Sequence, residues 1–162
     1  MNVKIPKIFI KKILIGALLV ALSLVVTVVI KESLDTQDPE SALPIVTVTY
    51  DGAPIPDVYR AAYEWSFFTT KEISEPVMAI ADMPISPYDV HSDKDITIDF
   101  SSSPSSLRIW RSDNGGTDFT ELAIENSAFK SPSTAGMYIY RIRAEWGKGY
   151  IEYYFMLDVD KA

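Results

Sequence analysis

Gly136 to Val159 reads GMYIYRIRAEWGKGYIEYYFMLDV, and the alternation within it decides the fold class. Tyr138, Tyr140, Ile142, Ala144 and Trp146 fall on one face of an extended chain, with Ile139, Arg141, Arg143 and Glu145 on the other. A period of two is the mark of a half-buried antiparallel strand. After Gly147-Lys148-Gly149 the pattern resumes, with Ile151, Tyr153, Phe155, Leu157 and Val159 opposite Glu152, Met156 and Asp158. The stretch therefore predicts two long strands joined by a tight turn. A lone hairpin is marginal in water, so it requires a larger sheet to pack against.

Upstream segments supply that sheet. Pro44–Tyr50 is rich in β-branched residues and ends at the turn signal Asp51-Gly52. Strands are also expected over 58–70, over Asp95–Phe100, over Leu107–Arg111 and over Phe119–Ile124, with a short edge strand at Ala79–Asp82. Ser101–Ser106 and Lys130–Ala135 read as loops. This makes about seven or eight strands at the roughly 8–12-residue spacing of an antiparallel β-sandwich.

Before the sandwich lies an uncharged apolar run, Ile13 to Ile30. As a helix it would measure about 27 Å, close to the hydrocarbon thickness of a bilayer. It exceeds the usual apolar core of a signal peptide and has no clean small-x-small site behind it, so an uncleaved anchor is expected. Lys4, Lys7, Lys11 and Lys12 are the only charges before it, whereas Lys31 and Glu32 cancel after it. The positive-inside rule then places residues 1–12 in the cytoplasm, 13–30 in the membrane, 31–44 in an acidic linker and 45–160 in an extracytoplasmic domain. Ala17 and Ala21 have small-xxx-small spacing, but a single unpaired helix is the simpler reading.

After Ile30 the chain carries 11 basic and 22 acidic residues, a net −11. That argues against nucleic acid, whose phosphates are bound through Lys and Arg. The absence of cysteine excludes disulfides, thiolate metal sites, cysteine nucleophiles and lipidated cysteine. His91, the only histidine, reads as a loop residue beside Asp89 and Asp93. No Gly-x-Ser-x-Gly elbow accompanies it. Asp113, Asn114 and Asp118 around Gly115-Gly116 are oxygen donors at which calcium would bind, but Asx residues beside glycines are also ordinary turn chemistry. Asp89, Asp93, Asp95 and Asp99 form a second acidic surface of the same kind. No cofactor and no catalytic residue is expected.

Trp65, Trp110, Trp146 and the nine tyrosines alternate with aliphatics, so core packing is their default role. Tyr138 and Trp146 in particular are expected in the core. Tyr150 and Tyr154, on the face opposite the Ile151–Val159 set, are the surface aromatics expected to meet a ligand. Arg108, Arg111, Arg141 and Arg143 form a basic spot that either receives an acidic partner or pairs internally with Glu145 and Glu152, the second being the simpler.

Thr134-Ala135-Gly136-Met137-Tyr138 resembles the tyrosine corner of immunoglobulin-like sandwiches, in which a tyrosine near the start of a late strand bonds back to nearby backbone. The cysteine pair of that family is missing. More broadly, the chain is similar to uncharacterised small membrane-anchored or lipoprotein-type domains of Gram-positive bacteria. The similarity rests on Tyr63-x-Trp65, Ala81-Asp82-x-Pro84, Ile96–Phe100 with Pro104, and Gly136-x-Tyr138 through Ala144-x-Trp146-x-x-Gly149 to Tyr154-Phe155. It covers most of residues 45–159 and implies an extracytoplasmic β domain without an assigned activity. The expected function is a membrane-anchored binding or interaction module working with an envelope protein. The alternatives are a binder of cell-wall glycan through Trp and Tyr, and a hydrolase using an acidic pair.

Overall fold

The structure, a computed structural model, describes residues 7–67, 70–74 and 79–160. The chain divides into two units, the first ending at Ala42 and the second beginning at Leu43.

The first unit is a single helix, α1 (Lys7–Gln37), closed by a 3₁₀ turn over Pro39–Ala42. The helix is long and apolar enough to cross a membrane, a property that anchors and signal sequences share. Its large apolar side chains from Ile10 to Leu34 are exposed. Ser23 donates to the Val20 carbonyl and Thr27 to the Ser23 carbonyl, both at 2.8 Å, so neither hydroxyl is left unsatisfied. The linker expected over 31–44 is helical as far as Gln37. Lys31–Gln37 holds no glycine or proline, and Glu, Leu and Gln favour helix. The Thr36 hydroxyl bonds back to the Glu32 carbonyl at 2.7 Å. Pro39 ends the helix by excluding the α conformation from the residue before it.

The second unit is a β-sandwich with eleven strands among the described residues. They are β1 (Val46–Tyr50), β2 (Ala53–Pro54), β3 (Tyr59–Ser66), β4 (Lys71–Ser74), β5 (Pro87–His91), β6 (Asp95–Phe100), β7 (Ser106–Ser112), β8 (Thr120–Leu122), β9 (Ala128–Lys130), β10 (Gly136–Trp146) and β11 (Gly149–Asp160). One sheet has the order β2-β1-β6-β9, and the other the order β4-β3-β11-β10-β7-β8. The β10–β11 hairpin lies at the centre of the larger sheet, in register from Gly136↔Val159 to Trp146↔Gly149. Along its other edge β11 takes two partners. Its first half pairs antiparallel with β3, and its second half pairs parallel with β5.

The additional strands are short or irregular, which is why periodicity misses β2, β4, β5 and β9. Ala79–Asp82 is not an edge strand, because Ile80–Asp82 forms a 3₁₀ turn. His91 closes β5 instead of lying in a loop. Its backbone N–H donates to the Tyr50 hydroxyl, and its carbonyl accepts from Ser131. Part of the strand expected over 58–70 lies at Phe68 and Thr69, outside the described residues.

The core lies between the sheets. Val48, Ile96, Ile98 and Phe129 of the smaller sheet and Ile109, Tyr140, Ile142, Ile151, Phe155 and Leu157 of the larger are all buried. Each such side chain contributes roughly 1.5–3 kcal/mol of hydrophobic stabilisation. Aromatic contacts cross the gap, with Phe129 5.1 Å from Tyr140 and Phe100 5.5 Å from Trp146. Tyr138 is buried and donates to the Thr134 carbonyl at 2.9 Å, the backward bond expected of a tyrosine corner. Trp146 is only half-buried at the hairpin tip, where its indole N–H reaches the Ser102 carbonyl. Phe100, at the end of the smaller sheet, and Trp65 pack against it edge-on.

Candidate functional site

The outer face of the larger sheet divides into two halves. Over one half the residues from Ile80 to Ile85 form a roof. Met83, with Ile80 and Ile85, packs on Ala61, Ile139 and Tyr154. Tyr154 is therefore buried, 6 % exposed, and is not the surface aromatic expected. It shares the outward face of β11 with Tyr150, but the roof covers it. Burial pushes its phenol pKa up, and the Arg141 charge beside it opposes that shift.

The other half is open and carries arginines, carboxylates and aromatic rings in a checkerboard. Strand register sets it directly: Arg143 stands opposite Arg108 on one side and Glu152 on the other, and Arg141 stands between Trp110 and Tyr154. Like charges directly opposite are unfavourable. Carboxylates resolve this one. Glu121 grips Arg108 with two bonds of 2.7 Å, and Arg143 bonds Glu145 at 3.0 Å and Glu152 at 3.1 Å. The bond from Arg108 holds the Glu121 carboxyl below its ordinary pKa. Burial works against the Arg143 charge, but its bonds to Glu145 and Glu152 outweigh burial and raise its pKa.

Rings complete the surface. The Arg143 guanidinium lies 3.7 Å from the Tyr150 ring centre, and both Arg108 and Arg141 lie over Trp110, at 4.7 and 4.4 Å. Arg141 is also 5.7 Å from the Phe119 ring. Trp110 is largely covered by this stacking.

The expected basic spot thus contains Arg108, Arg141 and Arg143 but not Arg111. Three residues from Arg108 along a strand, Arg111 belongs to the opposite face, and its guanidinium lies over Tyr138. Trp110, Phe119 and Glu121 were not foreseen as parts of this surface. The alternation in Leu107–Arg111 already put Trp110 beside Arg108, and the Asn114-Gly115-Gly116 turn before the strand expected at Phe119–Ile124 is the signal that brings Glu121 to the same surface.

In the Asp113, Asn114 and Asp118 loop, Asn114 and Asp118 use side-chain oxygens internally. The buried Ser112 hydroxyl donates to Asn114 Oδ1, which also accepts the Asp118 N–H, and the Asn114 amide donates to Asp118. Asp95 pairs with Lys130. Among the described residues no three acidic or histidine side chains converge on a point where a metal would bind. A groove of about 340 Å³ beside His91 is lined by Tyr50, Asp51, Lys94 and Asp95.

No protein-family model matches the chain, and no curated protein does so either.

Proposed function

We propose that this protein is a membrane-anchored binding module whose sandwich is extracytoplasmic and meets an envelope protein through the open half of the outer sheet face. The observation that carries this reading is the checkerboard of Arg108, Arg141, Arg143, Tyr150 and their carboxylates, a surface of fixed charges and flat rings left uncovered beside a half that is roofed. Aromatic and arginine side chains of this kind are the usual anchors of protein interfaces. The apolar helix and the four lysines before it support an N-terminus in the cytoplasm. The helix would raise the local concentration of the module at the membrane.

An immunoglobulin-like arrangement fits the order β5-β11-β10-β7-β8 with β6 beside β9 and the Tyr138 corner. A relation to the small anchored domains of Gram-positive bacteria fits the same organisation. The glycan alternative has less support, because Trp65 and Trp110 are buried and Trp146 is half-buried.

The test is in-cell crosslinking from a photoreactive residue at Tyr150 of the full-length chain. A specific envelope protein, lost when the probe is moved to Thr49 on the smaller sheet, is the expected result. Equal capture from both positions would overturn the assignment of the face.

A further inference from the structure

We infer that Arg141 is the receptor for a single carboxylate, an Asp or Glu side chain of the protein partner; this rests on the binding reading given above. The three arginines of the face are unequal. Arg108 and Arg143 hold carboxylates of their own. Arg141 has no carboxylate partner among the described residues, and its Nε is buried without a hydrogen-bond partner. Its guanidinium lies over Trp110 and near Phe119, beside the Tyr154 phenol. A partly desolvated cation without a counter-ion is unfavourable, and a carboxylate brought by another molecule removes that penalty. Contact with the Trp110 and Phe119 rings holds the guanidinium in place and encloses Nε, so a planar carboxylate would be met by the terminal N–H groups.

The surroundings set the specificity. Glu121, in register with Trp110, lies one strand beyond that ring, and Glu152, in register with Arg143, lies diagonal to the position. The chain after Ile30 is strongly acidic. A polyanion is repelled by such a field, whereas one carboxylate on a largely neutral segment is accepted.

Three variants of the full-length chain test this. R141M removes a cation without a carboxylate partner together with its contacts to the Trp110 and Phe119 rings, and is expected to lower the melting temperature less than R143M, which strands Glu145 and Glu152. In cells R141M is expected to lower the Tyr150 photo-crosslink to the partner about tenfold, the loss of one charge-assisted bond. R141K with a water-soluble carbodiimide is expected to form an amide, with loss of water, between the lysine amine at 141 and an Asp or Glu of the same partner, read by mass spectrometry of the joined peptides. A crosslink undiminished in R141M, an amide formed only to Glu121 or Glu152 of the same chain, or R141M melting as far below the wild type as R143M does would each overturn the carboxylate receptor while leaving the binding reading intact. Capture of no protein by the wild type would overturn both.

Discussion

Gly149 opens β11 where β3 crosses closest, and G149A tests that approach directly. A Cβ on Gly149 would lie 1.8 Å from the Glu64 carbonyl oxygen and 2.8 Å from its carbon. A carbon–oxygen contact needs about 3.3 Å, so the two backbones must part by roughly 1.5 Å. Backbone has no rotamer by which to escape. The φ of Gly149 is also +152°, a region nearly closed to side-chain-bearing residues, which adds about 1–3 kcal/mol. Separation would stretch the 2.7 Å bond from the Ser66 N–H to the Lys148 carbonyl and the neighbouring Gly149–Trp65 pairing. At about 1 kcal/mol per lost bond the total is roughly 3–5 kcal/mol. Urea unfolding of the full-length chain in detergent micelles measures it. Trp65 and Trp146, 5.6 Å apart at this end, provide the fluorescence change. G52A is the control, since Gly52 has φ +77° but no atom within 4 Å of an added Cβ, and should cost only about 1 kcal/mol. Equal midpoints for G149A and G52A would refute the reasoning.

Two tyrosines should respond oppositely to loss of a hydroxyl. Y138F deletes the bond to the Thr134 carbonyl and should destabilise by about 1 kcal/mol, whereas Y140F removes a buried hydroxyl with no partner and should be neutral or stabilising in thermal melts. Alkaline pH should unfold the sandwich. Burial raises the phenol pKa of Tyr140, Tyr153 and Tyr154, so these groups stay protonated in the folded state while the unfolded chain loses their protons from about pH 10. Their stabilisation is whole below that pH and falls as pH rises through the folded values. A phenolate absorbance titration should therefore show a cooperative step coincident with loss of structure, and smooth independent titration would contradict it.

The sequence made the central hairpin legible because both its strands alternate cleanly for their whole length, and their inner faces are the core of the sandwich. β2, β4 and β5 have two to five residues and no clear alternation, whereas β1, equally short, is marked by its β-branched run. The parallel seat of β5 on β11 depends on a partner far along the chain. The site was half legible for the same reason. Alternation placed Arg141, Arg143 and Tyr150 on one face, but β11 shows the same alternation at Tyr154, which the Met83 segment covers. What lies over a face is decided by segments with no periodicity of their own. Arg111 was misplaced because closeness in sequence outweighed the two-residue period that separates it from Arg108. The helix past Ile30 was hidden by polar composition, which says little about where a helix ends.

The last strand in chain order is also the one most others need. β11 sits against β10, β3 and β5, and the Tyr153 hydroxyl donates to the Pro44 carbonyl across 109 positions. Until β11 is available, β3 and β5 have no central strand to join and the aromatic core cannot close. Contacts so distant in sequence make for slow folding, since a large loop entropy must be overcome before they form. A chain delivered from its N-terminal end would therefore stay open until Tyr153 has cleared the ribosome. During that interval its early strands would present unpaired edges, the condition under which partly folded β chains aggregate and holding chaperones act.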